Sequence, residues 1–171
     1  MIEIAIMVEG QNGLNWPRWE RIARAVEDLG FAGLYRSDHY TNADPPDIDS
    51  LECWVSLTWL ATNTRRIEFG PLVTPMSFRH PTMIARMASA VDDLSGGRLT
   101  LGLGAGWQER EHTNYGFDLL DLPGRFKRYE EGLLRTRNGR RTRWHPGCRP
   151  RSEEGRIDIG LSIAILPCKS L

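Results

Sequence analysis

A chain of 171 residues is long enough for one domain with a substantial core and short for two. Its 40% hydrophobic and 26% charged content is that of an ordinary globular protein. Formal charge sums to zero, but residues 1–134 hold 13 Lys+Arg against 19 Asp+Glu and residues 135–171 hold 9 against 3, so the larger part, at −6, lacks the basic footprint that nucleic acid requires.

The opening MIEIAIMVEG contains a β-branched apolar run at 2–8 that predicts a strand. WPRWERIARAVEDLG (16–30) sets Trp19, Ile22, Ala23, Val26 and Leu29 at helical spacing and stops on Gly30. FAGLYRS (31–37) predicts a second strand. DSLECWVSLTWLATNT (49–64) predicts a second helix, capped by Asp49 or Ser50, with Leu51, Trp54, Val55, Leu57, Thr58, Leu60 and Ala61 on a wide apolar face. RIEFGPLVTP (66–75) predicts a third strand and HPTMIARMASAVDDLSGG (80–97) a third helix with Pro81 in its first turn. RLTLGLGAG (98–106) predicts a fourth strand, and GRFKRYEEGLL (124–134) opens a fourth helix.

Strand onsets near residues 2, 31, 66 and 98 repeat at about the 30-residue length of a strand–helix–strand unit. Such a repeat calls for an α/β fold, a parallel sheet covered by helices. Four βα units make either an open doubly wound sheet or a partial (β/α)8 barrel, and both bind ligands beyond the carboxyl ends of the strands. Those ends read MVEG, RSDHY, LVTP and GAGWQE, each passing from apolar to polar, glycine or proline.

Beyond Leu134 the pattern stops. Residues 135–156 hold eight arginines and no lysine, and the apolar IDIGLSIAIL (157–166) lacks a partner helix. We read 1–134 as the structured unit and 135–171 as an irregular Arg-rich tail: a basic arm, a linker, or out-of-frame translation of GC-rich DNA. Cys53, Cys148 and Cys168 are odd in number and lack metal-like spacing, which predicts reduced thiols and a cytoplasmic setting. No apolar run approaches the roughly 20 residues of a membrane span.

Several short stretches carry chemistry. Asp38–His39 closes the second strand, where ionisable groups either meet water or orient one another for proton transfer. Glu9 is a lone carboxylate ending the first strand. Pro71 removes a ladder donor from the third strand, as at an edge or a bulge. Gly102, Gly104 and Gly106 alternate without the G-x-G-x-x-G spacing of a dinucleotide fingerprint, and suit close backbone approach to a phosphate or flat ring. In WQEREH, Glu109, Glu111 and His112 read as a charged, solvated helix start; the competing reading puts a carboxylate and His112 on one metal.

With EDLGFAGLYRSDHY, LATNTRRIEFGPLVTPMSFRHPTMIARMASAVDDLSGGRLTLGLGAGWQEREH and GRFKRYEEGL in this order, residues 1–134 resemble the luciferase-like family of flavin- and deazaflavin-dependent oxidoreductases. GAGWQEREH is most similar to the branch using coenzyme F-420, a deazaflavin, with FMN as the second choice. The resemblance implies a TIM barrel holding the ring at the C-terminal face. It implies that Asp38 and His39 contact the ring system, with His39 acting in proton transfer, and that Glu9 is a carboxylate near the reaction. It further implies a cis non-proline peptide at Leu72–Val73 supporting the ring, Thr74 lining the same site, and Ala105, Gly106 and Trp107 touching the cofactor.

The expected function is hydride transfer to or from a small organic substrate, entering past residues 107–124. An FMN-dependent monooxygenase using O2 is the second expectation. A metal-dependent hydrolase using Asp38, His39, Glu109 and His112 is the third, and an inactive half barrel that survives as a dimerising scaffold is the fourth. Members of the family are about twice this long, so a truncated barrel is expected, with strands one and four as open edges. A truncated barrel should be poorly active, aggregate, or pair with a second copy.

Overall fold

The computed structural model describes residues 3–139 and 164–167. Strand β1 (Ala5–Val8) leads to helix α1 (Trp16–Asp28). Asn15 caps α1 by accepting a hydrogen bond from the Arg18 N–H at 3.2 Å. The helix turns Trp19, Ala23 and Val26 inward, and Gly30 follows its end at φ 82°, a conformation that favours glycine.

Strand β2 (Gly33–Arg36) and helix α2 (Cys53–Asn63) come next. The helix begins later than its apolar pattern suggests, because Glu52 rather than Asp49 or Ser50 caps it, accepting from the Val55 N–H at 2.7 Å. That start rotates Val55 outward, 56% exposed, and buries Cys53, Trp54, Ser56, Leu57, Leu60 and Ala61.

The third predicted strand is two pieces, β3 (Glu68–Pro71) and β4 (Thr74–Pro75), parted by a cis peptide bond at Leu72–Val73. Helix α3 (Pro81–Ser95) ends on Gly96 in the left-handed region. Strand β5 (Thr100–Gly104), the short helix α4 (Glu109–Tyr115), helix α5 (Leu122–Gly139) and strand β6 (Ala164–Pro167) complete the order.

β1, β2 and β3 pair in parallel, with Val8 opposite Arg36 and Arg36 opposite Pro71. β4 pairs in parallel with β5, placing Pro75 opposite Gly104. A parallel bridge from Phe69 to Leu99 and the Phe69 N–H donating to Arg98 C=O at 3.1 Å join β3 to β5 below the bulge. Gly70 permits this close crossing, since a Cβ there would strike the Thr100 carbonyl. Helices cover the outer face, and Leu34, Phe69, Leu101 and Leu103 pack there with Leu57, Leu60 and Ile84 in one core.

Two expectations change. β5 is no edge, because β6 pairs with it antiparallel, Leu101 opposite Leu166. α5 runs through residue 134 to Gly139 and buries Thr136, so a boundary at 134 falls inside a helix. The rest of the Arg-rich tail, with Cys148 and Cys168, lies outside the described residues.

Candidate active site

The parallel register brings the four strand ends to one rim. Glu9 follows β1, Ser37–His39 follow β2, Leu72–Val73 interrupt the third strand, and Ala105–Trp107 follow β5. Glu9, Asp38, His39, Ala105, Gly106 and Trp107 therefore leave the sheet at the same end. The cis peptide stands where the resemblance implies it.

Gly102 and Gly104 have a different task from close approach to a ligand. A Cβ on Gly104 would sit 2.5 Å from Val73 Cγ2, and one on Gly102 would strike the Pro71 carbonyl. The missing side chains make room for the bulge itself. Gly106, at φ 87°, is packed against Ser77 and His112.

Asp38 is 1% exposed and its carboxylate is fully engaged. It accepts from Thr74 Oγ1 at 2.9 Å and from both terminal nitrogens of Arg79, at 2.6 and 3.2 Å. Arg79 also reaches Tyr40 Oη at 3.2 Å and Glu52 at 2.7 Å. Burial pushes the Asp38 carboxyl above the usual carboxylate range, against the opposing pull of Arg79 and Thr74. The Arg79 guanidinium, despite its own burial, is held charged by Asp38. Asp38 thus offers no open oxygen to a ligand; it positions Thr74 and Arg79.

His39 is the open member of the pair. Its Nδ1 lies 2.8 Å from Glu111 Oε1, and its ring meets the edge of Trp107 with centroids 5.8 Å apart. Burial draws the imidazole pKa down, but the hydrogen bond and charge of Glu111, with Glu9 and Asp38 beyond it, raise it above the ordinary value. Nε2 is the ring nitrogen without a protein partner among the described residues.

α4 holds this arrangement. Glu111 also accepts from the Tyr40 N–H at 2.9 Å, Gln108 donates to the Thr41 carbonyl at 3.0 Å, and Arg110 donates to Asn42 C=O and both oxygens of Asp47. One short segment after β5 therefore clamps the whole loop after β2.

Of the three ionisable residues singled out in WQEREH, only Glu109 is solvated. Glu109 is exposed, whereas Glu111 and His112 are buried at 0% and 2%. His112 donates from Nδ1 to Gln108 C=O at 2.6 Å and accepts at Nε2 from Ser77 Oγ at 2.7 Å. The expected metal set is not assembled: Glu109 faces water, both nitrogens of His112 are used internally, and Asp38 is covered by Arg79. Among the described residues no three His, Cys, Asp or Glu side chains gather where they could hold an ion.

Arg79, Tyr40 and Ser77 were missed by sequence reasoning. No local periodicity marks them, because they meet their partners across 27–71 positions of chain. Glu111 carried a faint signal, two residues from exposed Glu109 and so on the opposite face of a helix.

A family model described as luciferase-like monooxygenase matches residues 2–158. The chain belongs to the luciferase-like family. A 4-hydroxyprotoasukamycin monooxygenase of Streptomyces nodosus subsp. asukaensis is 34% identical over 109 residues, 64% of this chain and 29% of that protein. The coenzyme F-420 dependent tetrahydromethanopterin reductase of Methanopyrus kandleri superposes with TM-score 0.56 at 26% identity, over 71% of this chain and 31% of that one. A type II Baeyer–Villiger monooxygenase of Pseudomonas putida, solved with FMN, gives TM-score 0.64 at 18% identity, over 78% and 38%.

The luciferase-like chain thus spans about a third of the length of these relatives, and its fold is a partial TIM barrel. Its relatives include a monooxygenase and an F-420-dependent reductase. The rim suits a flat ring: Leu72, Val73, Ala105, Gly106 and His39 are each half-buried, and Trp107 is 57% exposed beside them. No helix among the described residues is long and apolar enough to cross a membrane.

Proposed function

We propose that this chain carries the cofactor-facing part of a deazaflavin-dependent oxidoreductase, with coenzyme F-420 as cofactor and a small organic molecule as hydride donor or acceptor. The observation that carries the reading is the meeting of His39 and Trp107, 5.8 Å between rings, at the rim where the Leu72–Val73 bulge is half-exposed. When bound, a deazaflavin supplies two-electron hydride chemistry.

The chain's own residues do the rest. Leu72, Val73, Ala105 and Gly106 form the support, with Thr74 held behind it by Asp38. Trp107 covers one side and excludes water. His39 holds a proton at Nε2 for exchange with the reacting pair, and Glu9 adds negative charge that stabilises it. FMN with O2 is the second reading, favoured by the 34% identity to a monooxygenase. With Cys53 a buried free thiol, the working place we assign is the cytoplasm.

Fluorescence titration of the purified chain with F-420 and with FMN tests the proposal. Quenching by F-420 at lower concentration than FMN, lost in Trp107→Ala, is expected. His39→Gln should keep binding and lower hydride transfer by about 10²–10⁴-fold, the usual range for a lost acid–base group. A folded chain that ignores both rings, or one whose turnover survives His39→Gln, would sink the reading.

A further inference from the structure

We propose that Glu111 is the positioning residue that sets the tautomer and the protonation of His39, so that the imidazole presents Nε2 to the rim as a proton donor. The inference deepens the functional reading above and rests on it for its purpose, but the geometry stands alone. Glu111 is 0% exposed, and each of its oxygens has one partner: Oε1 the imidazole Nδ1 at 2.8 Å, Oε2 the Tyr40 N–H at 2.9 Å. Placing both oxygens fixes the plane of the carboxylate. An acceptor-only group at Nδ1 requires hydrogen there, which leaves Nε2 to exchange with the rim.

The backbone is pinned as well. The His39 carbonyl accepts from Ser50 Oγ at 2.7 Å, and the Trp107 ring edge flanks the imidazole. The side chain therefore has little freedom to turn Nδ1 outward. The charged groups that act most on His39 are acids: Glu111 from α4, Glu9 from the end of β1, and Asp38 beside it, the last covered by Arg79. Each favours the imidazolium, and only Glu111 touches it. A buried carboxylate whose one charged contact is the imidazolium is also costly to leave unpaired.

A glutamine at 111 would reverse the polarity. Its single carbonyl oxygen can serve the Tyr40 N–H, which turns its NH2 group to Nδ1 and forces the neutral ring to carry hydrogen on Nε2.

The test is an NMR titration of the imidazoles in the full chain, without cofactor, with the His39 signal among the four histidines assigned by His39→Gln. In the wild type, His39 should titrate above the ordinary value of about 6.5, with hydrogen on Nδ1 in the neutral form. Glu111→Gln should weaken proton binding about tenfold or more and move the neutral-form hydrogen to Nε2. Glu111→Asp, which keeps the charge, should restore part of the affinity. Arg110→Ala loosens the hold of α4 on the Asp47 loop without touching the imidazole, and should leave both readings unchanged.

A wild-type midpoint at or below about 6.5 overturns the inference, and it decides even where Glu111→Gln fails to fold. So does a midpoint that Glu111→Gln leaves in place, or one that Arg110→Ala moves equally, since either result would mark a merely structural clamp. The expected titration without ring binding overturns the proposed function alone; ring binding with an ordinary His39 overturns this inference alone.

Discussion

Asp38 and His39 are neighbours in the chain with opposite fates, and the difference lies in what faces each. Asp38 is sealed under Arg79 and Thr74, while His39 keeps a side exposed by 16%. Replacing Arg79 by Met should leave a carboxylate without its cation in a dry place, at about 3–5 kcal/mol of stability in denaturant unfolding. Arg79 lowers the Asp38 pKa, so its loss raises that pKa further above the unfolded value of about 3.9. The folded variant then binds a proton that the unfolded chain lacks, and its stability should fall as pH rises above about 4. Urea midpoints at pH 5 and pH 8 would show the variant nearer the wild type at pH 5. For His39 the folded pKa is likewise raised, so its contribution is complete below about pH 6.5 and fades as pH climbs through the raised value. Glu111→Gln should flatten that decline in the same unfolding series.

Glycines separate two kinds of constraint among the elements. Gly104 is confined by space, with a Cβ there 2.5 Å from Val73 Cγ2. Gly104→Ala should cost about 1–3 kcal/mol by overpacking and displace the bulge. Gly96 is confined by conformation, at φ 71° with nothing within 4 Å of a Cβ, so Gly96→Ala should cost about 1–2 kcal/mol and leave the bulge in place. Thermal melts give the costs, and ring binding tells the two apart: only Gly104→Ala should weaken it. At the opposite end of the sheet, Arg98 stacks on Phe69 at 5.3 Å and donates to Thr64, Ile67 and Ala61, tying β5 to the end of α2. Its place at the N-terminal ends of the strands marks it as structural, since barrel chemistry lies at the other face.

Across the whole molecule, one feature of the partial barrel remains open. β1 has β2 on one side and no strand on the other among the described residues, and Ile4 and Met7 are 59% and 40% exposed. An unpaired apolar edge invites further strands. Light scattering of the isolated chain should report a mass above 19.5 kDa, and Ile4→Lys with Met7→Lys should return it to that value. A wild-type monomer across micromolar concentrations would refute the expectation.

Period and punctuation made four βα units legible, because strand and helix spacing depend on neighbours in the chain. Helix caps were less so: Glu52 displaced Asp49 and Ser50 at α2 by a choice among adjacent acceptors that spacing cannot rank. The rim was legible as a direction, since every strand end turned polar together. What the side chains do there was decided by the fold. Whether Asp38 or His39 stays open at the rim, whether Glu111 is solvated or buried, and whether Gly102 and Gly104 have free space or a bulge beside them all depend on contacts between residues about 30 to 70 positions apart. Such contacts arise only when separate strands align in register, and no local pattern encodes them.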